Sequence, residues 1–252
     1  MMEGHQRCEG FHAKHLGVCQ CSCVLVDVGL NNGASLLQWP VKALASRLLH
    51  AKPAWSGLQK CLRSTPMNRT CYYGFEANPS FDRQLVALQS ALRAKGTLVK
   101  LFTSTAFSTG DGMARLFVQP TAHDVDAAGS TLEGSKGLSY HDPDHPSQWQ
   151  FKPRSPVRMH YNATPVPSVD AGRFLAALRA ASSFVAIKID VEGFEFSLLA
   201  HLLASARSVV CGLDLLAVEW HEWRVPNHKG HTAELMREMQ PPLCNVTLFS
   251  WH

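Results

Sequence analysis

Apolar runs alternate with segments of helical periodicity along most of the chain. Residues 24–29 read Val-Leu-Val-Asp-Val-Gly, an apolar run that is typical of a strand buried on both faces. Residues 34–50 then place five leucines and one valine at mostly helical spacings, although Pro40 must kink this helix or mark a late start. Strand, glycine turn and helix form the first predicted unit.

The same alternation continues to the C-terminal region. We predict further strands ending at 72–76, over 97–103, around 114–118, over 184–190, over 213–219 and near 245–251. We predict further helices after Pro79, over 169–181 with Ser168 as its cap, after Gly193 and over 233–239. Strands alternating with helices predict an α/β fold, with a mostly parallel central sheet flanked by helices and ligands at the carboxyl ends of the strands.

Two stretches interrupt this order. Residues 51–71 contain prolines and few periodic apolar positions, so we predict an inserted connection in which one short helix could form. Residues 119–167 are rich in Gly, Ser, Asp, His and Pro, and we interpret them as a long substrate-side segment. We predict a single domain over 24–252, preceded by an N-terminal extension over 1–23.

Composition and charge exclude several classes of protein. The 252 residues are 46% hydrophobic and 17% charged, as in globular chains, and 24 basic against 20 acidic residues are scattered without a dense basic block. We therefore predict no nucleic-acid partner. No run approaches the roughly 20 apolar residues of a membrane span, and the start is polar without a signal-peptide centre. The oligomeric state stays open.

Eight cysteines raise the question of metal binding and of compartment. Cys19, Cys21 and Cys23 alternate, but this spacing lacks the Cys-x-x-Cys turn that delivers two thiolates to zinc, so we interpret them as buried free thiols. Cys61 and Cys71 flank a polar loop, where a disulfide is geometrically easy.

Three Asn-x-Thr sequons occur, at Asn68, Asn162 and Asn245. They favour a secretory lumen, whereas the lack of a targeting segment favours the cytoplasm. The localisation is left open between these two.

Three predicted strands end in an acidic residue, namely Asp27, Glu76 and Asp190. In an open parallel sheet these ends converge on one crevice, so the three carboxylates should face a common ligand. The turn 27–33 carries two glycines that let backbone N–H groups approach a ligand, but it lacks the GxGxxG spacing of dinucleotide sites. A carboxylate at the end of the second strand, such as Glu76, is where ribose hydroxyls are normally held.

Three motifs carry a resemblance to a known family. Residues 27–33, 75–79 and 187–195 resemble the glycine loop, the acidic ribose loop and the IDVEG motif of FkbM-type methyltransferases. Residues 166–170 and 218–221 resemble two further segments of that family, so the likeness spans about 24–222. It implies a Rossmann-like class I methyltransferase fold, with S-adenosyl-L-methionine as cofactor.

Residue by residue, the resemblance implies a cofactor site. Gly29, Asn31 and Gly33 would line the methionine part of the cofactor, and Glu76, in a loop with Asn78, would hold its ribose. The remaining two assignments are Asp27, which would orient the loop or the cofactor amine, and Phe107, which would offer an apolar contact beside the adenine.

Methyl transfer is an in-line displacement that needs positioning, plus a base when the nucleophile is a hydroxyl. We predict His221 as general base and Asp190 as the group that orients cofactor or substrate, with no metal ligands assigned. Glu192 and Glu195 begin a helix and are interpreted as structural. The family resemblance suggests as acceptor a hydroxyl on a small molecule or glycan.

Three alternatives are kept. Leu30 stands where the family usually has alanine and Asn32 replaces a common apolar residue, which raises a non-catalytic interaction module as one alternative. As a second alternative, the strand-end acid Glu76 would also fit a nucleotide-dependent oxidoreductase. The third is a magnesium-dependent methyltransferase, in which Asp190 and a second acid would hold the ion.

Overall fold

A computed structural model describes residues 20–36, 38, 53–118, 131–132, 141–142, 145–149, 162–222 and 230–250. Most of the predicted helix over 34–50, most of the segment 119–167, and Cys8 and Cys19 lie outside the described residues. Residues 34–36 are helical and directly follow the glycine turn.

Strands and helices alternate over most of the described chain, but between residues 98 and 170 seven described strands follow one another. The strands are β1 (Cys21–Val28), β2 (Thr70–Phe75), β3 (Leu98–Phe102), β4 (Ala106–Ser108), β5 (Gly112–Val118), β6 (Thr131–Leu132), β7 (His141–Asp142), β8 (His145–Trp149), β9 (Asn162–Asp170), β10 (Ser182–Ile189), β11 (Leu215–Val218) and β12 (Thr247–Ser250). The α-helices are α1 (Pro53–Ser64), α2 (Asp82–Ala94), α3 (Ala171–Ala181), α4 (Glu195–Ser205), α5 (Arg207–Cys211) and α6 (His231–Glu238). Short 3₁₀ helices cover Met67–Arg69 and Pro79–Phe81.

The central sheet has the order β12-β11-β10-β1-β2-β3, and every neighbouring pair is parallel. This confirms the predicted α/β fold with its mostly parallel sheet. Side chains of β1 alternate between the two faces: Val24 and Val26 pack into the large core beneath α3 and α4, whereas Leu25 packs with Leu58 of α1. Both faces of the sheet are thus covered, as a parallel sheet requires.

A second sheet, β4-β9-β5-β6, was not predicted. The strand β9 pairs antiparallel with β5 and, through 168–170 only, parallel with β4. Its pattern is hard to recognise because Pro165 and Pro167 fall inside it. Both prolines are exposed and precede the part of β9 that pairs with β4. At these positions β9 pairs with β5 only, so proline, which lacks an N–H group, is tolerated there as on an edge strand. The predicted loop 119–167 therefore ends in a strand rather than in irregular chain.

Two predicted helix features differ from the structure. The N-cap of α3 is Asp170, whose carboxylate accepts from the backbone N–H of Arg173 at 2.7 Å. Ser168, the predicted cap, lies in β9 and donates to the carbonyl of Gly110. The predicted insertion 51–71 contains the 12-residue helix α1 and the start of β2, because Leu58 and Cys61 on one side of α1 give it a buried face.

The six described cysteines are paired in disulfides, so the predictions of free thiols at Cys21 and Cys23 and of a bridge between Cys61 and Cys71 were wrong. The disulfides are Cys21–Cys71, Cys23–Cys61 and Cys211–Cys244, with Cα–Cα distances of 5.9, 5.9 and 4.9 Å. Each distance lies in the ordinary range for a disulfide. Cys23 packs with Cys61 on the face of Leu25, as the alternation of β1 requires, whereas Cys21, which would share that face in a regular strand, packs with Cys71 in the core of the opposite face.

Within the described part of the chain, no helix has the length and apolar character that crossing a membrane demands.

Candidate active site

A pocket opens at the carboxyl ends of β1, β2 and β10, where the predicted crevice should lie. The second sheet closes its far side through β4 and β5. Its lining consists of Val28, Gly29, Asn31, Phe75, Glu76, Ala77, Phe81, Thr105, Ala106, Phe107, Leu116, Asp190, Val191 and Glu192.

Glu76 is held by the backbone on two sides. Its Oε1 accepts from the N–H of Asn78 and its Oε2 from the N–H of Asn31, both at 2.7 Å. Burial raises the pKa of Glu76 to about 7, although these backbone bonds act in the opposite direction. The carboxylate is thus fixed in orientation at the pocket wall, with one further lone pair on each oxygen for a ligand.

The glycine turn is built differently from our prediction. The N–H groups of Gly29 and Leu30 both donate to the carbonyl of Phe75, at 3.0 and 3.2 Å, so they are not presented to a ligand. Gly29 has φ +84°, and a Cβ there would lie 1.7 Å from the carbonyl oxygen of Asp190. Glycine is required because β1 and β10 approach each other closely at this point.

The unusual residues of the turn serve the fold. Leu30 is buried against Leu85, Leu101 and Gly74 and does not line the pocket. Asn32 accepts from the N–H of Ala34 at 3.0 Å and so caps the helical residues 34–36. Neither side chain blocks the pocket, so these two departures from the family pattern give little support to a non-catalytic protein.

Asn31 combines two features of a ligand-binding residue. It takes a left-handed conformation with φ 53°, which is uncommon for a residue other than glycine. Its side-chain Oδ1 is buried and has no hydrogen-bond partner among the described residues. Two further non-glycine residues with positive φ occur in the described part of the chain: Glu192, also in the pocket wall, and Ser104, next to the lining residue Thr105. Such backbone conformations tend to cluster at binding sites.

A buried charge network lies behind the pocket. The ammonium group of Lys188 lies 2.8 Å from Asp190 Oδ2 and 3.6 Å from Asp27 Oδ1. Burial would lower the pKa of Lys188, but Asp27 and Asp190 more than offset this and raise it. Burial also raises the pKa of Asp27, against the effect of Lys188. Lys188 therefore stays protonated and holds the Asp190 carboxylate at the pocket.

His221 is positioned by Glu195. One oxygen of Glu195, Oε1, lies 2.7 Å from the backbone N of His221 and 3.2 Å from its Nδ1, and the other accepts from the N–H of Gly193 at 2.8 Å. Burial would lower the pKa of His221, but the bond to Glu195 and the charges of Glu195, Glu192 and Asp190 raise it overall.

The other ring nitrogen of His221 points to the acids of the pocket wall. Its Nε2 lies 3.4 Å from Glu192 Oε2 and 3.8 Å from Asp190 Oδ1. These three side chains offer ligand atoms within 4.8 Å of one another, so they could also hold a divalent ion.

The structure divides the predicted site residues into two groups. Those in the pocket wall are Gly29, Asn31, Glu76, Phe107 and Asp190. Those outside the wall are Asp27, Gly33, Asn78 and His221. Gly33 packs instead against Leu88 of α2, and Phe107 is buried with its ring 4.8 Å from that of Phe75.

The sequence analysis did not assign a role in this site to three of its residues. Lys188 is the charged residue in the apolar stretch 184–189 of β10, which is itself a signal of a buried ion pair. Glu195 and Glu192 were interpreted as structural because acids are common at helix starts, and their spacing does not reveal His221 as a partner.

The fold and the site together define a Rossmann-like α/β protein with a ligand pocket at the carboxyl edge of its sheet. The model of the methyltransferase FkbM domain matches residues 27–241, which is most of the chain. This protein belongs to the FkbM methyltransferase family. No curated protein and no solved structure gives a significant match.

Proposed function

We propose that this protein is an S-adenosyl-L-methionine-dependent methyltransferase that methylates a hydroxyl oxygen on a small molecule or glycan. The observation that carries the proposal is the pocket wall, where Glu76, fixed by two backbone donors, faces the same space as Asp190 and Glu192. One side of the pocket offers groups for a nucleoside, and the other offers groups for proton transfer.

The residues present fit the cofactor. Glu76 would accept from the ribose hydroxyls, and Phe107 with Ala106 and Leu116 would give an apolar surface for the adenine. The unpartnered Oδ1 of Asn31 would accept from the amino group of the methionine part. When bound, the cofactor supplies an electrophilic methyl group on a sulfonium sulfur.

The chain itself must bind, orient and remove a proton. Asp190, held by Lys188, would orient the acceptor hydroxyl in the pocket wall together with Glu192. His221 is almost fully buried and lies behind these two acids. The hydroxyl proton would therefore pass between the acceptor and His221 at the two acids, and Nε2 would take it up. A proton on Nδ1, donated to Glu195, leaves Nε2 with the lone pair that this step needs.

The proposal has a direct test that needs no knowledge of the acceptor. S-adenosylhomocysteine is titrated calorimetrically into the wild-type protein and into Glu76→Ala. We expect micromolar binding that Glu76→Ala abolishes, with Glu234→Ala as a control because Glu234, an exposed acid of the first turn of α6, does not line the pocket.

Two outcomes would overturn the cofactor assignment. Correctly folded wild-type protein that does not bind S-adenosylhomocysteine would support a non-catalytic role. Tighter binding of a nicotinamide dinucleotide would support an oxidoreductase instead. Binding as expected would justify a screen of hydroxylated acceptors for methyl transfer.

A further inference from the structure

The two edges of the central sheet carry different chemistry. Because all six strands are parallel, residues that precede or open a strand lie at the amino edge, opposite the pocket. Cys21 and Cys23 open β1, Cys71 is the second residue of β2, and Cys244 lies just before β12. The three disulfides therefore fasten the amino edge, and none of the described cysteines lies at the pocket edge.

Two of the three sequons lie at this same edge. Asn68 is in the 3₁₀ helix that leads into β2, and Asn245 precedes β12 next to a disulfide-bonded cysteine. Both asparagines are exposed. In each case the hydroxyl residue of the sequon, Thr70 or Thr247, is the first residue of the strand.

We propose that Asn68 and Asn245 are N-glycosylation sites. In this modification the amide nitrogen Nδ2 forms a bond to the anomeric carbon of a lipid-linked oligosaccharide diphosphate. The bond from that carbon to the diphosphate breaks, the amide loses a proton, and the lipid diphosphate leaves. The middle residues, Arg69 and Val246, are not proline, as the sequon demands.

The disulfides are the independent observation that supports the modification. Structural disulfides form and persist in oxidising compartments and are rare where thiols are kept reduced. Every cysteine in the described part of the chain is disulfide-bonded. The three disulfides are therefore compatible with passage through an oxidising compartment, as in the secretory pathway where sequons are glycosylated.

The position of the two asparagines is compatible with a working pocket. A glycan is bulky and solvated, so it needs an exposed attachment point away from a ligand entrance. Asn68 and Asn245 both meet this condition, because the pocket opens at the carboxyl edge beyond the far ends of β2 and β10. Glycosylation and ligand binding would occur on opposite edges of one sheet.

Mass spectrometry of the protein purified from its natural cells tests the proposal. Peptide-N-glycosidase in heavy-oxygen water converts a glycosylated asparagine to a labelled aspartate. We expect the label at Asn68 and Asn245, together with peptides linked by the three disulfides. Unmodified asparagine at both positions would overturn the proposal.

Matched variants test each site in the full chain expressed through a eukaryotic secretory pathway. Asn68→Gln and Asn245→Gln should each remove one glycosidase-sensitive step in gel mobility. Thr247→Val removes only the sequon hydroxyl and should act like Asn245→Gln, whereas Thr247→Ser keeps the hydroxyl and should retain the glycan. Equal mobility of the wild type and the double Asn→Gln variant would contradict both assignments.

Discussion

The carboxylate of Glu195 binds His221 at two points, its backbone N–H and its ring nitrogen Nδ1, at 2.7 and 3.2 Å. Glu195 is fully buried, so this contact is protected from solvent. It fixes the ring orientation, and because a carboxylate only accepts, it favours the tautomer with the proton on Nδ1. The opposite nitrogen is then turned toward Asp190 and Glu192.

Removal of Nε2 should stop most of the catalysis and leave the cofactor site intact. In His221→Asn the side-chain amide can still donate to Glu195, while the proton acceptor on the pocket side is lost. We expect kcat to fall by about 10² to 10⁴, the usual contribution of a general base. Binding of S-adenosylhomocysteine, measured by calorimetry, should be unchanged. A kcat within a few-fold of wild type would exclude His221 as the base.

The pH profile should report the environment of His221. The pKa of His221 is raised by Glu195, Glu192 and Asp190, so its proton-accepting form requires a higher pH than that of an ordinary histidine, and kcat should rise with pH through that raised pKa. In Glu195→Gln a raising charge is lost, and the midpoint should move to lower pH together with a lower plateau. A profile with the same midpoint in both proteins would show that Glu195 is only structural.

Cofactor affinity should depend on the protonation of Glu76. The pKa of Glu76 is raised to about 7, so the acceptor-only carboxylate predominates above this value and the protonated acid below it. Binding of S-adenosylhomocysteine should therefore tighten as the pH rises from 6 to 8. In Glu76→Gln one amide N–H₂ must face a backbone donor, Asn31 or Asn78, so binding should be weaker and nearly independent of pH. Calorimetry at several pH values measures both effects.

The sequence predicted the parallel sheet and the convergence of Glu76 and Asp190 at one pocket. These features depend on continuous apolar strands and on the geometry of parallel sheets, both of which are local or general properties. Glu195 could not be assigned in this way, because its partner His221 is 26 residues away and the contact depends on the packing of α4 against the end of β11.

The second sheet and the disulfides could not be predicted from the sequence pattern either. Pro165 and Pro167 hide β9, since proline argues against a strand unless the neighbouring strands are known. The pairing of Cys21 with Cys71 and of Cys23 with Cys61 depends on which face of β1 each side chain takes. Spacing along the chain favoured Cys61 with Cys71, which was wrong.

Gly29 should not tolerate substitution, both because its backbone is left-handed and because another backbone segment lies close to it. A Cβ at Gly29 would lie 1.7 Å from the backbone oxygen of Asp190, and backbone cannot move aside cheaply. Gly96 is the matched control, because it has nearly the same φ, +81°, but nothing within 4 Å of the added Cβ. We expect Gly96→Ala to cost about 1 to 2 kcal/mol of unfolding free energy and Gly29→Ala clearly more. Equal costs in urea denaturation would refute the close approach.

Lys188 should stabilise the fold through the acids that it neutralises. It is 1% exposed, and its ammonium group lies between Asp190 and the fully buried Asp27. Lys188→Met keeps the apolar stem but leaves a buried carboxyl group without its cation, which should cost about 3 to 5 kcal/mol. Adding Asp27→Asn removes the charge that was left behind, so the double variant should recover part of this loss. Urea denaturation of the wild type, the two single variants and the double variant gives the coupling free energy. If the double variant is no more stable than Lys188→Met, Asp27 is not the partner that matters, and the stabilising effect of this lysine comes from other neighbours such as Asp190 and Glu219.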